Sequence, residues 1–153
     1  VDAWQWRPDL IWYDNLRVAL TASYYVQQLF STNKGTHVLS LTMDGKQVTG
    51  AEGQNGLFAS AVTDLLKQEI IVKVVNTSDK IQNIILNIEG LKKQQKLSEG
   101  QCYTLQSSDP YAENSVEDPG KIQPKKTEIQ PVGNSINSSV GARSLYVMVF
   151  KIL

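Results

Sequence analysis

The residues after position 35 form seven short apolar runs, and this pattern constrains the fold more than any other feature of the chain. Runs of this length, bounded by Gly, Pro, Asn and Asp, are typical of β-strands. The predicted strands are 37–43, 57–62, 69–76, 83–89, 101–107, 126–132 and 144–152. No helical pattern separates them, so the sequence predicts an all-β fold, either an antiparallel β-sandwich or a jelly roll.

Two of these runs are apolar on both faces. Segments 70–75 and 145–150 are hydrophobic at almost every position, which is typical of strands that are covered on both sides. We therefore expect both segments to be central strands of a two-layer core. The pair Asp44-Gly45 is a strong turn signal and should close the first strand.

The first 35 residues have a different character. All three Trp and three of the six Tyr lie within the first 25 residues, which is more aromatic surface than a short segment can bury on itself. An apolar stripe at helical spacing follows, formed by Ala22, Tyr25, Val26, Leu29 and Phe30. With Thr21 suited to the N-cap and Gly35 to the left-handed C′ position, the pattern predicts a helix over 21–32. Before it, the segment around Asp14-Asn15 fits a short strand or a turn.

Composition excludes several classes of function. The chain has 153 residues, with 15 Lys+Arg balanced by 15 Asp+Glu, so it exerts no long-range attraction on nucleic acid or on anionic membranes. No run approaches the roughly 18 apolar residues of a membrane span. The single Cys102 cannot form an internal disulfide, so the cysteine content does not indicate an oxidising or a reducing compartment.

The sequence offers no catalytic or metal-binding pattern. His37 is the only histidine and has no Cys, His or paired carboxylate at ligand spacing, so we expect a structural role and no metal or cofactor. Cys102 has no companion base that would indicate a nucleophile. Glu69 and Glu128 fall on predicted strands and are expected to face solvent.

The aromatic N-terminal segment therefore carries the functional signal. We interpret Trp4, Trp6 and Trp12 as residues that pack against another domain, and sugar stacking is the alternative, because aromatic rings serve both uses. A second candidate for sugar stacking is Tyr111 in the long polar loop 107–126. A loop of this length inside a compact domain crosses between sheets or lies over a neighbouring element.

Several runs of the sequence resemble the C-terminal portion of family 51 α-L-arabinofuranosidases. They are VDAWQWRPDLIWYDNL, TASYYVQQLFSTNKGT, GLFASAV, EIIVKVVNTSD and AENSVEDPGKIQP, and they span almost the whole chain. The resemblance implies a (β/α)8 barrel that carries catalysis and a C-terminal β-sandwich beside it. Residues 1–35 would then be a loop and the last barrel helix, left from the barrel, and residues 36–153 the sandwich. The start at Val1 is interpreted as a cut within a longer polypeptide.

The same resemblance removes a catalytic role from this chain. The family cleaves terminal α-L-arabinofuranosyl groups with retention, using two Glu on barrel strands about 5 Å apart, and both would lie upstream. The chain alone is thus expected to be inactive, with the barrel of the same polypeptide as its partner and arabinose-containing polysaccharide as substrate of the whole enzyme. That enzyme is expected in the periplasm or outside the cell.

Three roles stay open for the sandwich. It can cover a flank of the barrel, with strand 144–152 completing the sheet and the long loop along the seam. It can bind polysaccharide, or it can form a contact between copies of the chain.

Overall fold

A six-stranded antiparallel sheet organises the computed structural model, which describes residues 10–50, 52 and 54–153. The single helix of the described residues is α1 (Ala22–Thr32). The strands are β1 (Ile11–Tyr13), β2 (Val18–Leu20), β3 (His37–Leu39), β4 (Thr42–Met43), β5 (Lys46–Gln47), β6 (Leu57–Asp64), β7 (Glu69–Asn76), β8 (Gln82–Asn87), β9 (Leu97–Gln106), β10 (Lys125–Ile129), β11 (Ser135–Val140) and β12 (Ser144–Ile152).

The two strands predicted to be central lie in the middle of the sheet. Its order is β10-β9-β12-β7-β6-β3, and β7 and β12 pair with each other along eight residues. Their bounds coincide with the predicted segments 69–76 and 144–152. The C-terminal strand is therefore an internal strand of the sheet, with β9 on its other side.

One face of the sheet packs against a two-stranded ribbon. Alternation along β7 places Ile70, Val72 and Val74 on this face, as expected for side chains two residues apart. The ribbon of β8 and β11 covers them and contributes Ile136, which has no exposed surface. The six-stranded sheet and this ribbon form an unequal antiparallel sandwich, and the all-β sandwich prediction is confirmed.

The other face of the sheet packs against α1 and the long loop. Ile71, Leu145 and Val147 form a second buried cluster with Leu29 of the helix and Ile122 of the loop. Both faces of β7 and β12 are therefore buried, which explains their nearly continuous apolar sequence.

The N-terminus of α1 agrees with the prediction, and its C-terminus differs by one residue. Thr21 is the N-cap, and its Oγ1 accepts a hydrogen bond from Tyr24 N at 3.2 Å. At the other end Asn33 is the C-cap, so Lys34 occupies C′ and Gly35, which was predicted there, lies one residue further on. Gly35 has φ 66°, and a Cβ there would lie 2.6 Å from Cγ2 of Val62. Glycine is required by this approach of the chain to β6 as well as by its left-handed backbone.

Two parts of the strand prediction are wrong. The predicted strand 37–43 is interrupted after Leu39, and its second part pairs with β5 across Asp44 (φ 50°) and Gly45 (φ 75°). Positive φ at both positions is typical of the tight hairpin turn that the sequence predicted there. Strand β11 was not predicted, because its sequence SINSSV is largely polar. Only its inward residues Ile136 and Val140 are apolar and buried.

Candidate functional site

Residues 11–20 of the N-terminal segment form a small β-hairpin. Strands β1 and β2 pair so that Trp12 lies opposite Ala19. In the turn, Asp14 Oδ1 accepts a hydrogen bond from Arg17 N at 2.8 Å, and the Arg17 guanidinium pairs with the carboxylate at 2.5 Å. Hydrogen bonding from Arg17 holds the pKa of Asp14 below its usual range. The strand and the turn predicted around Asp14-Asn15 both occur.

A buried amide fastens this hairpin to the long loop. The Nδ2 of Asn114 donates to the carbonyl oxygens of Leu20 at 2.6 Å and Ile122 at 2.8 Å, and its Oδ1 accepts from Ile122 N at 2.7 Å. Asn114 itself is buried. The loop therefore lies over a neighbouring element, which confirms one of the two predicted arrangements. The loop does not cross between sheets, because β9 and β10, the strands that precede and follow it, pair with each other in one sheet.

The hairpin and α1 carry large apolar side chains that are exposed to solvent. These residues are Leu10, Ile11, Tyr13, Leu16, Val18, Val26 and Phe30. Leu16 is 95% exposed and Tyr13 80% exposed. Contiguous exposed apolar residues mark surfaces that bind another protein or domain. This surface, residues 10–30, is the main candidate for an interdomain contact.

The predicted site residues are distributed as follows. Trp4 and Trp6 lie outside the described residues, and Trp12 is half-buried in β1. Tyr111 is 88% exposed, and its backbone N–H donates to Asp109 Oδ1 at 2.9 Å, which orders the loop at that point. Its ring is accessible, as sugar stacking requires, but accessibility alone does not distinguish a sugar from a protein contact.

Lys73 is a further candidate, which was not among the residues predicted from the sequence. This residue lies on β7, is only 7% exposed, and has its Nζ 4.8 Å from the centre of the Phe30 ring. Burial lowers the pKa of Lys73. It lines a groove of about 580 Å³ together with Val38, Phe58 and Ser60. The signal in the sequence was a single charged residue inside the apolar run 70–75.

Glu69 and Glu128, the two carboxylates singled out on predicted strands, do not form a glycosidase pair. Glu69 on β7 and Glu128 on β10 are separated by β12 and β9, and three strand spacings of about 4.8 Å place the strands about 14 Å apart. Glycosidase carboxylates lie about 5 to 9.5 Å apart. Cys102 is buried, and burial raises the pKa of its thiol. His37 is exposed on the edge strand.

Within 10–50, 52 and 54–153, no three His, Cys, Asp or Glu side chains are grouped so that they could hold a metal ion. No helix in that part of the chain has the length and hydrophobicity needed to cross a bilayer.

Comparison with known proteins gives a consistent result. The family profile described as α-L-arabinofuranosidase C-terminal domain matches residues 1–144. α-L-arabinofuranosidase A of Aspergillus niger is 29% identical over 150 residues, which is 97% of this chain and 21% of that enzyme. α-L-arabinofuranosidase 1 of Arabidopsis thaliana is 27% identical over 129 residues, or 82% of this chain and 18% of that enzyme.

A solved structure extends the similarity to three dimensions. The arabinose-bound MgGH51 α-L-arabinofuranosidase superposes with a TM-score of 0.84 at 25% identity, covering 97% of this chain and 22% of that chain. The chain thus spans about a fifth of the length of the relatives it matches.

Proposed function

The chain belongs to the family of α-L-arabinofuranosidase C-terminal domains, and from this membership we propose that it is the accessory β-sandwich of such an enzyme. It packs against the catalytic barrel of the same polypeptide and stabilises it. The whole enzyme removes terminal α-L-arabinofuranosyl groups from plant hemicellulose or arabinan with retention of configuration. The catalytic residues belong to the barrel, and this chain alone does not hydrolyse substrate.

The observation that carries this proposal is the outer surface of residues 10–30. The hairpin and α1 are fastened to the sandwich through Asn114 and Leu29. The hairpin face with Ile11, Tyr13 and Val18 is exposed and apolar, whereas Ala19 on its other face is buried. A segment with one side packed on the sandwich and an apolar side facing outward suits a position between two domains. We assign residues 1–35 to the end of the barrel and residues 36–153 to the sandwich.

Deletion of 144–153 from the full-length polypeptide tests the stabilising role. Because β12 is an internal strand, its loss leaves β7 and β9 without a partner on one side each and removes Met148 and Phe150 from the core. We expect insoluble protein. A matched control is Lys151→Ala, which alters an exposed side chain of the same strand and should leave solubility and activity unchanged. A soluble, active truncation would refute the role.

A second candidate function is polysaccharide binding, which the accessibility of Tyr111 favours. Aromatic rings exposed on loops stack on sugar faces. The test is retardation of the 153-residue chain in an affinity gel that contains arabinoxylan. Retardation that Tyr111→Ala abolishes and Tyr13→Ala preserves would establish this function, since Tyr13 is similarly exposed on the surface assigned to the barrel. Migration equal to that in a gel without polysaccharide would exclude it.

A further inference from the structure

Lys73 is the most deeply buried cation among the described residues, and it lies at the floor of a groove. In the sheet it stands opposite Ser60 on β6 and Val147 on β12. Its side chain points to the face that α1 covers, because its Nζ lies over the Phe30 ring. The groove of about 580 Å³ opens beside that ring.

This ammonium has no carboxylate partner among the described residues. The ion pairs found there involve Arg17 and Lys67, with Asp14, Glu117 and Asp64 as the acids. The contact that the structure gives the Lys73 ammonium is the face of Phe30. Among the described residues no buried side-chain nitrogen lacks a hydrogen-bond partner, so the Lys73 ammonium keeps its solvent contact through the groove. It is therefore accessible to a carboxylate that enters the groove.

The groove also continues the layer that α1 begins. The helix covers the sheet over β7 and β12 but leaves the same face of the edge strand β3 uncovered. Val38 on that strand is 86% exposed, and Phe58 and Ser60 line the groove between it and Lys73. An apolar floor with one cation at its inner end is complementary to an element that carries apolar residues and one carboxylate.

We propose that this groove receives a segment of the catalytic barrel in which an Asp or Glu carboxylate pairs with Lys73. The inference rests on the proposed function, because that function supplies the barrel. About four fifths of the length of the matched relatives lies outside this chain, which is ample to provide the segment. Lys73 is then an interdomain anchor, and docking of the barrel removes both the groove and the unpaired charge.

The test compares Lys73→Met in the full-length polypeptide and in the 153-residue chain. Methionine keeps the apolar stem and removes the charge. In the full-length protein it leaves a buried carboxylate unpaired, so the rate of thermal inactivation is expected to rise about tenfold or more. In the 153-residue chain it removes a charge that has no carboxylate partner there, so the unfolding midpoint should stay nearly unchanged. Lys73→Arg retains the charge and should restore most of the full-length stability.

Lys126→Met is the matched control, because the Nζ of Lys126 lies 5.8 Å from the Tyr103 ring centre but the residue is exposed. It should have little effect in either protein. The proposal is overturned if Lys73→Met is as harmless as Lys126→Met in the full-length protein. It is also overturned if Lys73→Met destabilises the 153-residue chain equally, since the carboxylate would then belong to this chain.

The stabilising role of the sandwich and the anchoring role of Lys73 can be refuted separately. If deletion of 144–153 inactivates the enzyme while Lys73→Met has no effect, only the anchor is wrong. If the deletion leaves a soluble and active enzyme, the stabilising role itself is wrong.

Discussion

Replacement of Asn114 by alanine should uncouple the N-terminal hairpin from the sandwich. The substitution removes three hydrogen bonds, two donated to the carbonyls of Leu20 and Ile122 and one accepted from Ile122 N. Each contributes about 0.5–1.5 kcal/mol net. Their sum is about 1.5–4.5 kcal/mol, and because Asn114 is 93% buried, water replaces them poorly. We expect a loss of about 3 kcal/mol, within that range, or roughly 6–12 °C in Tm for a domain of this size.

Two spectroscopic probes separate the hairpin from the sandwich. All three Trp lie within the first 12 residues, so tryptophan fluorescence reports on the N-terminal segment, and far-UV circular dichroism reports mainly on the sheet. In the native sequence both melts should coincide. In Asn114→Ala both should move to lower temperature, and the fluorescence transition should come first.

Asn83→Ala is the control for this experiment. Asn83 is exposed and makes one side-chain bond, accepted from Ser139 Oγ at 2.6 Å, so its loss should change Tm by less than about 2 °C. The reasoning is refuted if Asn114→Ala melts like Asn83→Ala. It is also refuted if fluorescence and circular dichroism already separate in the native sequence, because the hairpin would then not be fastened to the sheet.

Three further predictions concern the core and the helix. Gly100→Ala should cost about 3 kcal/mol, because its Cβ would lie 2.6 Å from Cε1 of Phe150; Gly50→Ala, which meets open space, is the control in urea unfolding. Thr21→Ala should cost about 1 kcal/mol through the lost N-cap, whereas Thr21→Ser should cost little in the same assay. Native Cys102 should react with a disulfide reagent far more slowly than in denaturant, because burial raises the pKa of its thiol. The stabilisation linked to this proton is fully present below the pKa of the unfolded thiol and is lost as pH rises through the folded pKa, so stability should fall at alkaline pH.

The strongly apolar strands could be located from sequence because burial on both faces leaves an unmistakable pattern. For β7 and β12 the bounds were predicted to the residue. Strand β11 could not be found in this way, since it covers the core with one face only and its outer face carries Ser and Asn. The ladder of bonds from Ser135 and Ser139 to Asn87 and Asn83 supports that outer face, and such pairings become visible only once the register is known.

The candidate site was predictable only in outline. The aromatic composition of the first 25 residues predicted a contact surface. The hairpin and α1 expose apolar residues there, and the contact itself stays a prediction. Asn114 had no sequence signature of its own, and the signal for Lys73 was only a single charge within the apolar run 70–75. Asn114 bonds to Leu20, which is 94 residues away along the chain. Lys73 contacts the ring of Phe30, which α1 brings to the same face of the sheet. Tertiary packing sets both contacts.

Hydrolysis of p-nitrophenyl α-L-arabinofuranoside tests the central claim most directly. The full-length polypeptide and the 153-residue chain are assayed side by side at equal molar concentration. We expect turnover by the full-length protein and none by the chain, because the proposed function assigns the catalytic carboxylates to the barrel. Turnover by the chain alone would contradict it, since its own carboxylates would then form an active site.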